Sequence, residues 1–171
     1  MNKIIPSLLI FPLFLTHPVI SQETKPRTYF IEAGGSGGFG SLNFDKEFSI
    51  RAHYRWSYRL GAGYSPGASW KGKIPVIIIF PTLINFLYGK QKHFLEAGAG
   101  QGLAFNTQGA IYSRLTLNAG YRFQKKEGGF FLRIVYSPLI SFMYDRQWEH
   151  WAGIGIGFTF VKKKCPCEDG K

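Results

Sequence analysis

The segment that decides the fold runs from Ser49 to Ser65 and reads SIRAHYRWSYRLGAGYS. Every second residue from Ile50 to Tyr64 is apolar or aromatic, and the residues between them are arginine, histidine, serine and glycine. Successive side chains of a β-strand point to opposite faces, so the segment predicts one strand with an apolar face and a cationic face. Strands of soluble proteins are usually ~5–6 residues long. A longer strand with aromatic residues on one face is typical of a membrane barrel, where that face meets lipid and the other meets a polar lumen.

The same alternation recurs in seven further segments, which begin near Tyr29, Ser41, Val76, Leu95, Ile111, Phe130 and Ala152. Together they predict an all-β fold, an eight-stranded antiparallel up-and-down transmembrane β-barrel, since exported single-chain barrels have an even number of strands. Residues 28–47 could instead form one strand with a bulge at the glycines of 34–38. A barrel with both termini on one side needs an even count, which favours a turn there.

Connections between the segments differ in length. We predict short charged turns at 45–49, 89–92 and 124–129 and longer connections at 65–73 and 137–147. Outer-membrane barrels keep short turns on the periplasmic side and longer loops outside. Counting strands from a periplasmic N-terminus places both long connections outside, as this rule requires.

The first part of the chain has the pattern of an export signal. Lys3 precedes an almost wholly apolar run from Ile4 to Ile20, and small or modest side chains precede a cleavage site before Gln22. This pattern predicts a cleaved secretory signal peptide; the alternative, a membrane anchor, is disfavoured because three prolines interrupt a run that is short for a span. The predicted organisation is a signal peptide (1–21), an outer-membrane β-barrel (22–164) and a short polar tail (165–171).

The charge and the cysteines narrow the classes of partner. The formal net charge is +11, but export and the spread of the cations along strands and turns argue against nucleic acid. Anionic lipid headgroups or lipopolysaccharide phosphates are the expected partners. The two cysteines, Cys165 and Cys167, are too close for an unstrained disulfide and too few for a metal site. We therefore expect no metal and no cofactor.

The polar faces of the strands predict a charged lumen, whose members are Glu32, Asp45, Arg51, Arg55, Arg59, Glu96, Arg114, Arg122 and Arg133. Eight strands enclose a space that side chains just fill, and an unpaired buried charge costs several kcal/mol. The pattern thus favours a closed, salt-bridged lumen, with an ion path or an anionic-ligand site as the alternative. Glu32 and Glu96 occupy similar segments, Phe30–Gly34 and Phe94–Gly98, and are the expected acidic anchors. A soluble lipocalin-type barrel with inverted faces is disfavoured, because it would expose the arginine-rich face.

The histidines are the candidate catalytic residues. His53, His93 and His150 could serve an acid–base site, as in barrel enzymes that act on lipid A or phospholipid. Ser57 shares a strand face with His53 but lies ~13 Å along it, so no pair is within evident reach. We predict no catalytic residue and no enzymatic activity, with a lipid-modifying enzyme as the alternative.

Several turn and strand motifs resemble those of a known group: Glu32–Gly38, Ser41–Asn43, Leu87–Lys90, His93–Glu96, Gly120–Phe123 and Gly128–Arg133. They resemble segments of the small, mostly uncharacterised outer-membrane β-barrel proteins of Gram-negative bacteria. The resemblance implies a barrel of the cell outer membrane, and its motifs say nothing about chemistry. Two function classes remain: a structural or interaction role through extracellular loops, which we expect, and an enzyme that acts on lipid. Phe160 is similar to the terminal aromatic residue that the outer-membrane assembly machinery reads. The resemblance implies no catalytic residues.

Overall fold

The computed structural model describes residues 25–66, 76–107, 109–141 and 147–162, which form eight strands closed into one barrel. The strands are β1 (Arg27–Gly34), β2 (Gly40–Ile50), β3 (Tyr54–Pro66), β4 (Val76–Lys90), β5 (His93–Asn106), β6 (Ile111–Gln124), β7 (Gly129–Ser141) and β8 (Gln147–Phe160). Each strand pairs antiparallel with the next, and β1 pairs with β8. The predicted eight-stranded up-and-down barrel is confirmed. The predicted signal peptide and the two cysteines lie outside the described residues, as do residues 67–75 and 142–146 of the two long connections.

The two faces of the strands differ as the alternation predicts, with apolar residues outside. Leu42 and Leu95 point outward and are 68% and 64% exposed, whereas Arg59 and Arg122 are 0% exposed in the interior. Outward aromatic rings pair across neighbouring strands, as Trp56 and Phe86 do at 5.0 Å between centroids. In the part of the chain that the structure describes, no helix is long and apolar enough to cross a membrane.

The glycine-rich segment after β1 is a turn and not a bulge. β1 ends at Gly34, a 3-10 turn covers Gly35–Gly37, and β2 begins at Gly40. Gly34, Gly35 and Gly38 all have positive φ angles, 74°, 74° and 87°, which suit glycine far better than other residues. The expected division of residues 28–47 into two strands is confirmed.

The predicted turn at 45–49 is wrong, and so is the single strand from Ser49 to Ser65. β2 continues to Ile50, and β3 begins only at Tyr54. The reason is that β2 keeps pairing with β3 beyond Glu47, through a register shift between Glu47 and Ser49. The turn is then closed by the Arg51 amide, which donates to the Tyr54 carbonyl at 2.9 Å. The alternation before Tyr54 therefore falls partly in an exposed turn.

Candidate functional site

In the described part of the chain, the barrel interior contains eight buried ionisable side chains in equal numbers of each sign. The carboxylates are Glu32, Asp45, Glu47 and Glu96, and the guanidinium groups are Arg55, Arg59, Arg122 and Arg133. A buried ion is tolerated only when it is paired and hydrogen-bonded. The balance of the buried charges in the described ranges satisfies that condition for the lumen as a whole.

Six of these side chains form one chain of alternating sign, in the order Arg59, Glu32, Arg133, Glu96, Arg122 and Asp45. Arg133 Nη2 lies 2.8 Å from Glu96 Oε1, and Arg122 Nε donates to Glu96 Oε2 at 2.7 Å. Arg122 also donates to both oxygens of Asp45, at 3.0 and 3.1 Å. The six residues come from six different strands, so the chain ties opposite walls of the barrel together.

Phenylalanine rings pack against the flat faces of the guanidinium groups of two buried arginines. The guanidinium carbon of Arg122 lies 5.3 Å from the ring centroid of Phe131, and that of Arg59 lies 5.1 Å from the centroid of Phe30. Such cation–π contacts are worth most when they are shielded from water. The guanidinium edges thus meet carboxylates while their faces meet aromatic rings.

Glu47 is the member of the interior set that sequence reasoning missed. It accepts hydrogen bonds from Arg55 Nη1 at 3.2 Å and from Gln124 Nε2 at 2.9 Å. The turn wrongly placed at 45–49 removed this residue from consideration. A signal was present in the sequence, because six inward arginines against three inward acids left positive charge without partners.

Two predicted members do not join the interior set. Arg51 is exposed in the turn after β2, because the strand ends at Ile50 and its alternation stops there; its placement in the lumen was wrong. Arg114 lies at the opposite mouth of the barrel, where it pairs with Glu149 at 3.0 Å, and both side chains remain partly exposed. Trp151 Nε1 donates to the same Glu149 oxygen at 3.3 Å.

The histidines lie apart from this interior set. His53 is exposed in the turn before β3. His93 Nδ1 contacts the Tyr121 hydroxyl at 2.6 Å, and His150 Nδ1 contacts the Tyr136 hydroxyl. Ser57, which the sequence placed on the same strand face as His53 but out of its reach, donates to Asp45 at 3.0 Å. Within the described ranges, no group of three His, Cys, Asp or Glu side chains is placed to hold a metal ion.

The glycine turn after β1 enters the barrel mouth. Gly35, Ser36 and Gly37 are all buried, and the turn contacts β3, β4, β7 and β8 as well as β1. A Cβ on Gly35 would lie 3.0 Å from the carboxyl carbon of Glu32. Glycine therefore lets the backbone lie directly against the outermost carboxylate of the ionic chain.

Comparisons with known proteins show the fold. No protein-family model matches this chain, and no curated protein matches it in sequence. Among solved structures, the N-terminal β-barrel domain of Pseudomonas aeruginosa OprF is similar, with a TM-score of 0.50 and 12% identity over 81% of this chain and 98% of that one.

Two further barrels are similar at lower scores. They are Ail, the attachment invasion locus protein of Yersinia pestis, solved with the heparin analogue sucrose octasulfate, and the outer-membrane enzyme PagL. Each has a TM-score of 0.45 and 12% identity, over 80% of this chain and 96% or 99% of the other. At 12% identity, the likeness to the OprF domain shows the barrel fold alone.

Proposed function

We propose that this protein is an integral barrel of the cell outer membrane with a closed, salt-bridged lumen. Its role is structural or interactive and is carried by the loops at the mouth opposite to the termini. The observation that supports this most is the inversion of polarity: charged residues fill the interior, and large apolar residues are exposed around the outside. In water this arrangement would leave an apolar belt exposed, whereas in a bilayer the belt is solvated by lipid.

Two features support a closed lumen over a channel. The ionic chain reaches from Arg59 on β3 to Asp45 on β2 by way of the far wall, through β7, β5 and β6. Above it, the buried turn Gly35–Gly37 occupies the mouth. A wide water path would require both to be displaced, and eight-stranded barrels offer little spare interior volume.

The partners that fit this proposal are outer-membrane lipids and, during insertion, the outer-membrane assembly machinery. Nucleic acid is not a proposed partner, and no catalytic role is proposed. The contacts of His93 and His150 are to tyrosine hydroxyls, and Ser57 is engaged inside the barrel with Asp45. The nucleophile and base of a lipid hydrolase would instead lie within hydrogen-bond reach of each other.

Membrane fractionation with alkaline extraction tests the location. We expect the mature chain to remain in the outer-membrane pellet, and recovery as a soluble periplasmic protein would refute the proposal. Planar-bilayer recording of the purified protein tests the lumen, for which we expect no steady conductance. A large stable conductance would favour a channel, and altered lipid A in cells that overproduce the protein would favour an enzyme.

A further inference from the structure

Among the described residues, exposed charge is distributed very unevenly between the two ends of the barrel. The described part of the end that holds the short turns, the start of β1 and the end of β8 carries nine wholly or partly exposed cations: Lys25, Arg27, Lys46, Arg51, Lys90, Lys92, Lys125, Lys126 and Lys162. Among the described residues, Glu127 is the one exposed acid at this end. The described charges at the opposite mouth are the mutually paired Arg114 and Glu149. The short-turn end is therefore suited to bind anionic groups.

Part of the short-turn end forms a cleft between the β4–β5 turn and the β6–β7 turn. Gln91, Lys92, Lys125, Lys126 and Glu127 line it. The two turns are held together, because the Gln124 amide donates to the Lys92 carbonyl at 2.9 Å. Three lysines, one glutamine and one glutamate thus line one concave surface.

An outward-facing aromatic cluster adjoins the cleft. The ammonium of Lys92 lies 5.8 Å from the ring centroid of Phe123, which lies 6.4 Å from the centroid of Phe130. His93 also packs against Phe123, at 5.5 Å between centroids. Aromatic side chains at the edge of a barrel belong at headgroup depth, next to acyl chains. The cleft therefore adjoins the membrane and does not face away from it.

We propose that this cleft binds the headgroup of an anionic phospholipid in the leaflet at the short-turn end. The inference rests on the proposed membrane location. The three lysines supply charge for the lipid phosphate, and the rings of Phe123 and Phe130 lie beside the first part of the acyl chains. Glu127 can accept a hydrogen bond from a headgroup hydroxyl, so phosphatidylglycerol fits better than a headgroup without hydroxyls. A soluble acidic ligand such as a cell-wall peptide would gain nothing from the adjoining aromatic surface.

The test uses the full mature chain in nanodiscs of phosphatidylcholine with increasing fractions of spin-labelled phosphatidylglycerol. The association constant is compared with that of spin-labelled phosphatidylcholine. The cleft variant carries Lys92→Gln, Lys125→Gln and Lys126→Gln. The control, with the same change in charge, carries Lys25→Gln, Lys46→Gln and Lys162→Gln. A lysine next to an anionic headgroup contributes about fivefold, and only the lysines of the cleft variant line the cleft. We therefore expect the cleft variant to lose roughly tenfold or more of its phosphatidylglycerol preference, and the control, whose lysines lie outside the cleft, to keep most of it.

Other results would overturn the inference. Equal losses in the two triple variants would show non-specific attraction to a basic surface. Absence of any phosphatidylglycerol preference in the unmodified protein, together with sedimentation alongside purified peptidoglycan that the cleft variant loses, would assign the cleft to the cell wall. Failure of the unmodified chain to insert into nanodiscs would refute the proposed membrane location. Normal insertion without lipid preference would refute the cleft alone.

Discussion

Arg122 shows why the lumen is built with arginine and not lysine. Three of its nitrogens donate at once, Nε to Glu96 and both Nη atoms to Asp45, while its planar face lies over Phe131. A lysine ammonium at this position has no planar face to stack and no fixed fork to span two carboxylates. The side chain thus acts as a rigid connector between β2 and β5.

Glu96 is the residue whose neutralisation should cost most. It joins Arg122 and Arg133, so Glu96→Gln leaves excess positive charge among fully buried side chains. We expect a loss of ~3–5 kcal/mol in the free energy of unfolding, since breaking a buried pair strands its partner. Urea titration of the protein refolded into lipid vesicles measures this loss.

Glu127→Gln is the matched control for that measurement, because it makes the same chemical change at an exposed turn position. We expect it to change the free energy of unfolding by less than ~0.5 kcal/mol. Similar losses in the two variants would contradict the role given to the ionic chain.

The destabilisation caused by an outward-facing charge should depend on its depth in the bilayer. Leu60 lies near the middle of β3 and is 46% exposed, and Val76 begins β4 and is also 46% exposed. Arginine on the lipid face costs ~2–4 kcal/mol at the bilayer midplane and ~0–1 kcal/mol near the interface. Leu60→Arg should therefore destabilise the vesicle-bound protein more than Val76→Arg in urea titration. Equal costs would mean that this face does not meet a bilayer.

Among the elements, β2 and its turn show where pattern reading fails. Alternation reports which way a residue points only while the strand continues, and the polar residues Arg51 and His53 are equally suited to an exposed turn. The register shift between Glu47 and Ser49 moves the boundary further, because a bulge carries no clear mark in sequence. The turn after β1, by contrast, could be predicted from its run of glycines, and three of them, Gly34, Gly35 and Gly38, have positive φ angles.

The buried glycine turn can be tested by adding a single methyl group. Gly35 and Gly109 both have positive φ angles, 74° and 84°, but a Cβ on Gly35 meets Glu32 whereas one on Gly109 meets nothing within 4 Å. Gly109→Ala should cost ~1–2 kcal/mol from backbone conformation alone. Gly35→Ala should cost a further ~1–3 kcal/mol from overpacking. The difference in urea midpoints isolates the contact with Glu32, and a difference near zero would show that the turn does not press on the lumen.

At the scale of the whole molecule, strand number, pairing order and the faces of the strands followed from the sequence. The ion pairs inside the lumen did not follow from the sequence, because they depend on how far each strand is shifted along the barrel axis. Glu32 and Glu96 illustrate this. Their similar segments suggested equivalent roles on opposite walls, but only the closed register shows both carboxylates meeting on Arg133.

Orientation in the membrane can be tested by cysteine labelling. In a background with Cys165→Ser and Cys167→Ser, Gly109→Cys and Lys126→Cys place single thiols at opposite ends of the barrel. We expect an impermeant maleimide to label position 109 in intact cells and position 126 only after the outer membrane is permeabilised. The reverse pattern would show that the short-turn end faces outward.

The position of the buried glycine turn in the chain links the filling of the barrel mouth to the closure of the barrel. The turn follows directly on β1, and the edge of β1 that does not pair with β2 pairs with β8, the eighth strand along the chain. The turn that lies in one mouth of the barrel is thus carried on the strand whose docking completes the ring. While the seam between β1 and β8 is open, both strands have an unpaired edge and the interior charges are open to solvent along that seam. Docking of β1 on β8 pairs these edges and encloses the interior charges in one step.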